Sequence, residues 1–298
     1  MPQKTVLITG CNHGGLGAAM ARAYRAKGFK VFATVRSKAK AGSLGETEGI
    51  EVLELDVTSV ESIEQCAKMV EKLTGGSLDI LVNNAGTSGV MPLLDLDIDK
   101  AKSIHDVNVW ALLWMTQAFA PTLIKTKGTI CNISSVSGEL TFAWQGMSWL
   151  TMWDYQLCAN CDVGIYASSR AATTSLSETL RLEMAPLGVR VVTVILGAVE
   201  TCGNDPSLKG QLELPANSYY QQIRNVINRH YRAEIYTKKQ NVDVAANNVV
   251  NDVLKGGSIF IRRGEFSTFS WICTTFLPHH LFTSMTNGDA GLAELGSQ

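Results

Sequence analysis

Two short stretches of the chain carry residues equipped for chemistry. The first, "TGCNHGGLG" at residues 9–17, is a glycine-rich turn between an apolar run and a helical pattern. Glycines let a backbone approach a pyrophosphate, and the helix behind them presents free N–H groups and its positive dipole end. The second, "GIYASSRAATTSLSETLRLEM" from Gly164, sets the phenol of Tyr166 four residues before the guanidinium of Arg170. Residues i and i+4 share one helix face, so both can point at one cofactor ribose. With Lys in place of Arg170 the segment would read as a redox active site. The spacing alone is weak, because Tyr220 and Arg224 repeat it. Context distinguishes Tyr166: small residues follow it, then an amphipathic helix, then a buried strand.

The elements that must position these residues are legible around them. "KTVLITG" is a β-branched apolar run ending at a glycine, and predicts a buried strand. "LGAAMARAYRAKG" predicts a helix closed by Gly28, and "FKVFATVRS" a second buried strand. Strand, glycine turn, helix and strand in this space form a dinucleotide-binding βαβ unit. The end of the second strand faces the adenosine ribose, where an acid would bind the 2′-hydroxyl of NAD. Here it reads Val35, Arg36, Ser37. A guanidinium suits a 2′-phosphate, so the expected cofactor is NADP(H), the alternative being that Arg36 is a solvated surface residue. His13 and Lys38 can add to the same phosphate.

Further landmarks follow: "VLELDVTS" with Asp56, "LDILVNNAG" with Asn83, Ala85 and Gly86, and the long helix "HDVNVWALLWMTQAFAP" with Asn108. After them come "GTICNISSVSG" with Ser135, and "GVRVVTVILGAVET". In this order residues 4–201 resemble the short-chain dehydrogenase/reductase family. The glycine turn is one residue longer than the commoner form. With "RRG" near 263 and "FLPHHLF" near 280 it is similar to the fungal 1-acyldihydroxyacetone-phosphate reductase-like subgroup, which includes reductases of secondary metabolism.

The resemblance implies a role for each matching position. Gly10, Gly15 and Gly17 line the pyrophosphate, with Asn12, His13 and Leu16 in the same turn. Asp56 and the backbone of Val57 meet the adenine. Asn83, Ala85 and Gly86 lie under the cofactor and brace the sheet. Asn108 holds a relay water, Ser135 polarises a carbonyl, and Tyr166 donates the proton. Thr201, with Val199 beside it, reaches the carboxamide. In the family the partner of the tyrosine is Lys, whose ammonium bonds the nicotinamide ribose and tunes the phenol as an acid. Arg170 keeps the charge but is planar and cannot relay a proton as a neutral base. Leu196 stands where the family usually has Pro.

A third departure is larger. Ser135 and Tyr166 are 31 residues apart, and removing the 18 residues Met147–Gly164 restores the separation usual in the family. The segment reads as an insertion beside the active site. It is a substrate-covering loop with Trp149, Trp153 and Tyr155 stacking on the substrate, a surface excursion, or the codons of a retained intron read in frame.

Composition sets the outer bounds. The 298 residues carry a net charge of −1, with 46% apolar and 18% charged residues, an ordinary globular balance. No basic stripe invites nucleic acid. No leader is expected from "MPQKTVLITG", and no stretch reads as long enough to span a membrane. The seven cysteines are scattered, which suits a reducing, cytoplasmic setting, and Cys158 and Cys161 read as free thiols rather than metal ligands. No metal is expected. The fold expected is one doubly wound α/β domain over 1–298, with a central parallel sheet and a small helical lid at about 202–233. In the lid, "LPANSYYQQIRNVINRHYR" predicts an amphipathic helix, with Tyr219, Tyr220 and Arg224 as candidates for substrate contact. The apolar "FSTFSWICTTFLPHHLF" is expected to pack on the core or a partner subunit, or to touch a membrane or lipid droplet. The expected partners are a small carbonyl or alcohol substrate and further copies of the chain, as a dimer or tetramer. The expected activity is NADPH-dependent carbonyl reduction or its reverse. The alternative is a protein that keeps the cofactor pocket without efficient redox chemistry, as a non-redox cyclase or regulatory binding module.

Overall fold

The computed structural model describes residues 3–87, 91–140, 143, 164–201, 211–231, 239–287 and 290–295. Seven strands form its centre: β1 (Thr5–Ile8), β2 (Lys30–Val35), β3 (Ile50–Glu54), β4 (Ile80–Asn83), β5 (Thr129–Ser135), β6 (Arg190–Leu196) and β7 (Phe260–Arg263). They lie in the order β3-β2-β1-β4-β5-β6-β7, and every pair is parallel. A parallel sheet covered on both faces needs strands that are apolar throughout, and the runs TVLI, ILVN and RVVTVIL supply them. The order reverses between β1 and β4, and the carboxyl ends of strands at such a switch point open the crevice where ligands bind.

One face is covered by α1 (Leu16–Ala26) and α7 (Val242–Lys255), which bury Met20, Tyr24, Val249 and Val250 against the sheet. The other is covered by α2 (Val60–Thr74), α4 (Ala111–Thr126) and α5 (Gly164–Met184), through Val70, Phe119, Leu123 and Leu180. Burial at roughly 25 cal/mol per Å² of apolar surface makes these two layers the main source of stability. The thiols of Cys11, Cys66 and Cys131 lie in the same interior, where burial pushes each up to about 12. They are therefore inert as thiolates at neutral pH.

α4 continues α3 (Ile98–His105) through a widened π turn, Asp106–Trp110. The continuous helix Ile98–Thr126 corrects the expectation that no stretch has the length of a membrane span, since it passes by length and apolar composition. Its apolarity has a local reason, because Met115, Phe119 and Leu123 fill the core beside α2.

The lid differs from its sequence pattern. Among the described residues of the helix predicted over 214–232, helix is confined to α6 (Arg224–Tyr231), behind a single tight turn at Gln221–Ile223. Before it, Ser218 Oγ donates to Asp95 Oδ2 at 2.6 Å and accepts from the Tyr220 N–H at 3.1 Å, while the Ser218 N–H donates to the Pro215 carbonyl. A serine that serves the backbone locally competes with helix, which explains the late start. Residues 202–210 and 232–238 of the lid, and the whole of 144–163 with Trp149, Trp153, Tyr155, Cys158 and Cys161, lie outside the described residues. After β7 come α8 (Ser267–Phe276), α9 (His279–Thr286) and α10 (Leu292–Leu295). Trp271, Ile272, Phe276 and Leu281 stand exposed on α8 and α9.

Candidate active site

The glycine turn leaves β1 at Thr9 and is sewn to the end of β4. Thr9 Oγ1 accepts from the Asn84 and Ala85 N–H groups at 3.0 and 2.9 Å, and Asn84 Nδ2 donates to the carbonyls of Thr9 and Gly10. Gly10 has φ +72°, and a Cβ there would stand 2.8 Å from the Ala85 Cα, so only glycine fits. The turn closes with the Gly15 N–H donating to the Asn12 carbonyl, and α1 begins with Leu16 and Gly17 buried. α2, α3 and α7 are each capped by a side-chain oxygen, from Ser59, Asp97 and Asn241. α1 has neither a side-chain cap nor an acid in its first turn. Its N-terminus is therefore set up to receive an anion.

Beyond the turn lies a polar rim. The His13 N–H donates to the Lys40 carbonyl at 2.7 Å, and the His13 and Asn12 side chains are exposed. Arg36 is exposed at the end of β2 and makes no hydrogen bond or ion pair among the described residues. Asp56 accepts from both the N–H and the hydroxyl of Thr58, and the backbone bond, aided by Arg36, holds its carboxyl below the usual range. Val57 behind it is buried. Sequence reading found no competing carboxylate here, and the structure adds one. Glu54, opposite Val35 in register, accepts the Lys38 N–H at 3.1 Å. An alternating β3 sequence gives no signal for such a contact. A backbone cradle, an uncapped helix and an unpaired guanidinium together fit the diphosphate and 2′-phosphate of NADP(H).

The other end of the crevice is built from side chains. Ser134 Oγ donates to the Arg170 carbonyl at 3.0 Å and meets Thr174 Oγ1 at 2.8 Å, which ties α5 to β5. Ser135 Oγ accepts from the Ser137 N–H at 3.2 Å and donates to Ser137 Oγ at 3.3 Å. Arg170 is buried, with Nη1 donating to the Ile133 carbonyl at 3.0 Å and its guanidinium carbon 4.9 Å from the centre of the Tyr166 ring. The space that the guanidinium fills is the space a side chain on Gly86 would need.

Asn108 sits in the π turn, a feature frequent at functional sites. Both its N–H donors are used, toward the Thr87 carbonyl and Ser169 Oγ, and its Oδ1 accepts from the Thr87 N–H. Its own carbonyl accepts from Thr173 Oγ1. The asparagine thus locks α5 to the loop after β4. Asn83 Nδ2 donates to Asn132 Oδ1, and Asn132 Nδ2 to Ser177 Oγ, a buried string from β4 through β5 to α5. Among the described residues, Asn83 Oδ1 and Arg170 Nε have no hydrogen-bond partner, and both residues line one small cavity beside Asn108. The cavity has room for about one water.

The structure therefore gathers Gly10, Gly17, Ala85 and the α1 terminus into one cluster, and Asn83, Gly86, Asn108, Tyr166 and Arg170 into another, with Ser135 on the adjoining turn. Val199 is buried and bridges to Gln240, and Thr201 is half-buried after it. Sequence reading passed over Thr9, Ser134 and Ser169, the hydroxyls that weld these pieces together. The small polar residues around each motif were the available signal.

Comparison with known proteins fixes the family. Residues 4–147 match the short chain dehydrogenase family model, and the match stops where the sequence reading begins the extra segment. The chain is 61% identical over 293 residues to the short-chain dehydrogenase cctT of Talaromyces islandicus, covering 98% of this chain and 97% of the relative. It is 36% identical over 247 residues to the NADPH-dependent 1-acyldihydroxyacetone phosphate reductase of Schizosaccharomyces pombe, covering 82% and 77%. Among solved structures, a short-chain dehydrogenase from Streptomyces avermitilis superposes with a TM-score of 0.72 at 25% identity, covering 99% of this chain and 96% of the other. One from Burkholderia cenocepacia, in complex with NADP, gives 0.71 at 22% identity over 95% and 97%. The protein belongs to the short-chain dehydrogenase/reductase family of oxidoreductases.

Proposed function

We propose that the protein is an NADPH-dependent carbonyl reductase, or the alcohol dehydrogenase that runs the same step backwards. The observation that carries this reading is the Arg170 guanidinium lying over the face of the Tyr166 ring, on the helix that the turn after Ser135 touches. NADP(H) as cofactor is supported by the unpaired Arg36, by the NADPH-dependent relative from Schizosaccharomyces pombe and by the NADP complex from Burkholderia. When bound, NADPH would be held by the glycine turn and the rim at Arg36 and would supply the hydride. Tyr166 gives its phenolic proton to the carbonyl oxygen, and Ser135 turns its hydroxyl from Ser137 to that same oxygen. Arg170 lays a fixed positive charge over the tyrosine ring, which favours the phenolate left behind.

A ketone substrate in fungal lipid or secondary metabolism is part of the proposal, supported by the acylated dihydroxyacetone phosphate that the Schizosaccharomyces relative is named for. A cytoplasmic protein with a peripheral membrane contact is supported by Trp271, Ile272, Phe276 and Leu281, exposed on consecutive helices. A homo-oligomer is supported by Trp110 and Leu182, apolar and exposed on the helical layer.

A second reading, a cofactor-binding protein with weak redox chemistry, is favoured by one observation: Arg170 is committed to the Ile133 carbonyl inside the protein. NADPH binding and NADPH oxidation across a carbonyl panel separate the two, because binding without turnover favours the second. Deleting Met147–Gly164 removes no residue assigned to chemistry, and a long loop costs little extra closure entropy. The deletion variant is expected to fold, bind NADPH and match or exceed the full chain in turnover. Unfolding, or loss of turnover with binding intact, would make the segment a working substrate loop.

A further inference from the structure

Glu139 follows the turn Val136–Gly138, through which the chain leaves Ser135. Its carboxylate receives two bonds from Arg262 on β7, 2.6 Å from Nη2 to Oε1 and 2.7 Å from Nη1 to Oε2. The partners are 123 residues apart in sequence, and their side chains are only 19% and 20% exposed. Solvent and salt screen such a pair far less than a surface ion pair, and the planar fork fixes its direction as well as its distance. Arg262 is itself held by a bond to the Ser267 carbonyl at 3.3 Å and by the Trp271 ring, 5.9 Å from its guanidinium carbon.

Against α5 the turn has no slack. A Cβ on Gly138 would lie 2.7 Å from the Arg170 carbonyl carbon and the Ala171 nitrogen, so the turn touches the backbone of α5. Leu140 and Val136 pack on Cys273 and Phe269 of α8. The direction of the Ser135 hydroxyl depends on this turn, because both its hydrogen bonds go to Ser137. Glu139 also stands, in sequence, between Ser135 and the extra segment Met147–Gly164.

We infer that Glu139 and Arg262 are positioning residues for catalysis: their ion pair ties the Ser135 turn to β7 while Gly138 abuts the backbone of α5, so that the turn is held from both elements. The inference rests on the reading of Ser135 as the group that polarises the carbonyl. Position matters here because a hydroxyl displaced by a fraction of an ångström no longer meets the oxygen it must stabilise.

The test uses the full chain. Glu139→Ala and Arg262→Ala are each expected to lower kcat for carbonyl reduction about tenfold or more, with the Kd for NADPH unchanged within about twofold. Both should also speed amide hydrogen exchange at Val136–Leu140, where the Ser137, Glu139 and Leu140 N–H groups are bonded within the turn. The exchanged pair, Glu139→Arg with Arg262→Glu, is expected to regain part of the lost kcat and exchange protection. Arg262→Lys, which keeps the charge without the fork, should fall between. Arg263→Ala breaks the neighbouring pair with Asp252, away from the turn, and should change stability alone. The inference is overturned if the alanine variants melt earlier but keep the wild-type kcat and exchange rate in the turn. It is equally overturned if Arg263→Ala affects the turn as much as they do. Should the wild-type chain reduce no carbonyl, the functional reading fails, and hydrogen exchange still decides whether the pair holds the turn.

Discussion

At the glycine turn the protein offers a ligand its backbone. The Gly10 conformation, the uncapped start of α1 and the Thr9–Asn84 stitching are main-chain features, fixed by where glycine and small polar residues fall. At the Tyr166 end it offers side chains, and these are held by other side chains: Asn108 by Thr87 and Ser169, Asn83 by Asn132, Arg170 by Ile133 and the face of Tyr166. A backbone pocket tolerates little variation in residue type and much in its surroundings. A side-chain pocket can exchange one group for another when its neighbours adjust. That contrast accounts for a glycine turn built on backbone conformation, beside a helix in which a buried arginine, Arg170, is fitted to its neighbours.

The sharpest way to expose the difference is to remove the phenol hydroxyl proposed as proton donor. Tyr166→Phe keeps the ring that faces Arg170 and deletes only the hydroxyl. Loss of a general acid costs about 10²–10⁴ in rate. Stopped-flow or steady-state NADPH oxidation should show that loss in kcat, with fluorescence titration showing NADPH affinity unchanged within about twofold. Normal turnover would remove Tyr166 from the mechanism.

Gly10→Ala attacks the other end. A left-handed conformation costs a non-glycine residue about 1–2 kcal/mol, and the added methyl also meets the Ala85 backbone at 2.8 Å. Because the turn must move, NADPH affinity is expected to fall about a hundredfold or to be lost, with the melting temperature lowered as well. An alanine variant that binds NADPH normally would show that the cradle lies elsewhere.

Arg36→Ala is expected to be milder. It removes one exposed cation from a rim that also holds His13 and Lys38, and leaves the glycine turn intact. NADPH affinity should drop about tenfold, near 1.4 kcal/mol, with NADH affinity unchanged. Glu54 sharpens this expectation. Its carboxylate sits at the Lys38 N–H, so without Arg36 the rim has less charge to set against it. Equal loss for both nucleotides would mean that Arg36 supports the fold and does not read the 2′-phosphate.

The same contrast governs what could be read from the sequence. The first two strands and the glycine turn follow from apolar runs, glycines and their spacing, because parallel strands buried on both faces leave a strong local trace. Tyr166 and Arg170 are visible through helical spacing together with the small residues, amphipathic helix and strand that follow them. What the guanidinium does is not. Its bond to Ile133, its place against Gly86 and the π turn at Asn108 depend on elements far apart in the chain. Glu139–Arg262 and Glu54–Lys38 escaped for the same reason: nothing in either partner's neighbourhood announces the other. The lid helix failed locally, because one serine satisfied the backbone before the amphipathic pattern could.

Arg170→Lys has the smallest expected effect and divides the two modes of construction most finely. Lysine keeps the positive charge, so its influence on Tyr166 largely survives. It loses the Nη1 bond to the Ile133 carbonyl, worth about 0.5–1.5 kcal/mol, and the flat stack on the tyrosine ring. Against that, the unpartnered Nε disappears, and an ammonium has three donors with which to reach the same carbonyl or a water in the cavity beside Asn83. These terms oppose one another within about 1 kcal/mol, so melting temperature and kcat should each fall slightly, by no more than about fivefold in kcat. Such a fall marks a pocket whose neighbours have adjusted to guanidinium. If lysine instead raises turnover, the arginine is a handicap that the surrounding side chains have not absorbed, and the side-chain pocket is less adaptable than its packing implies. Unchanged turnover with unchanged stability would place the guanidinium outside both the mechanism and the core, which its bond to Ile133 and its burial contradict.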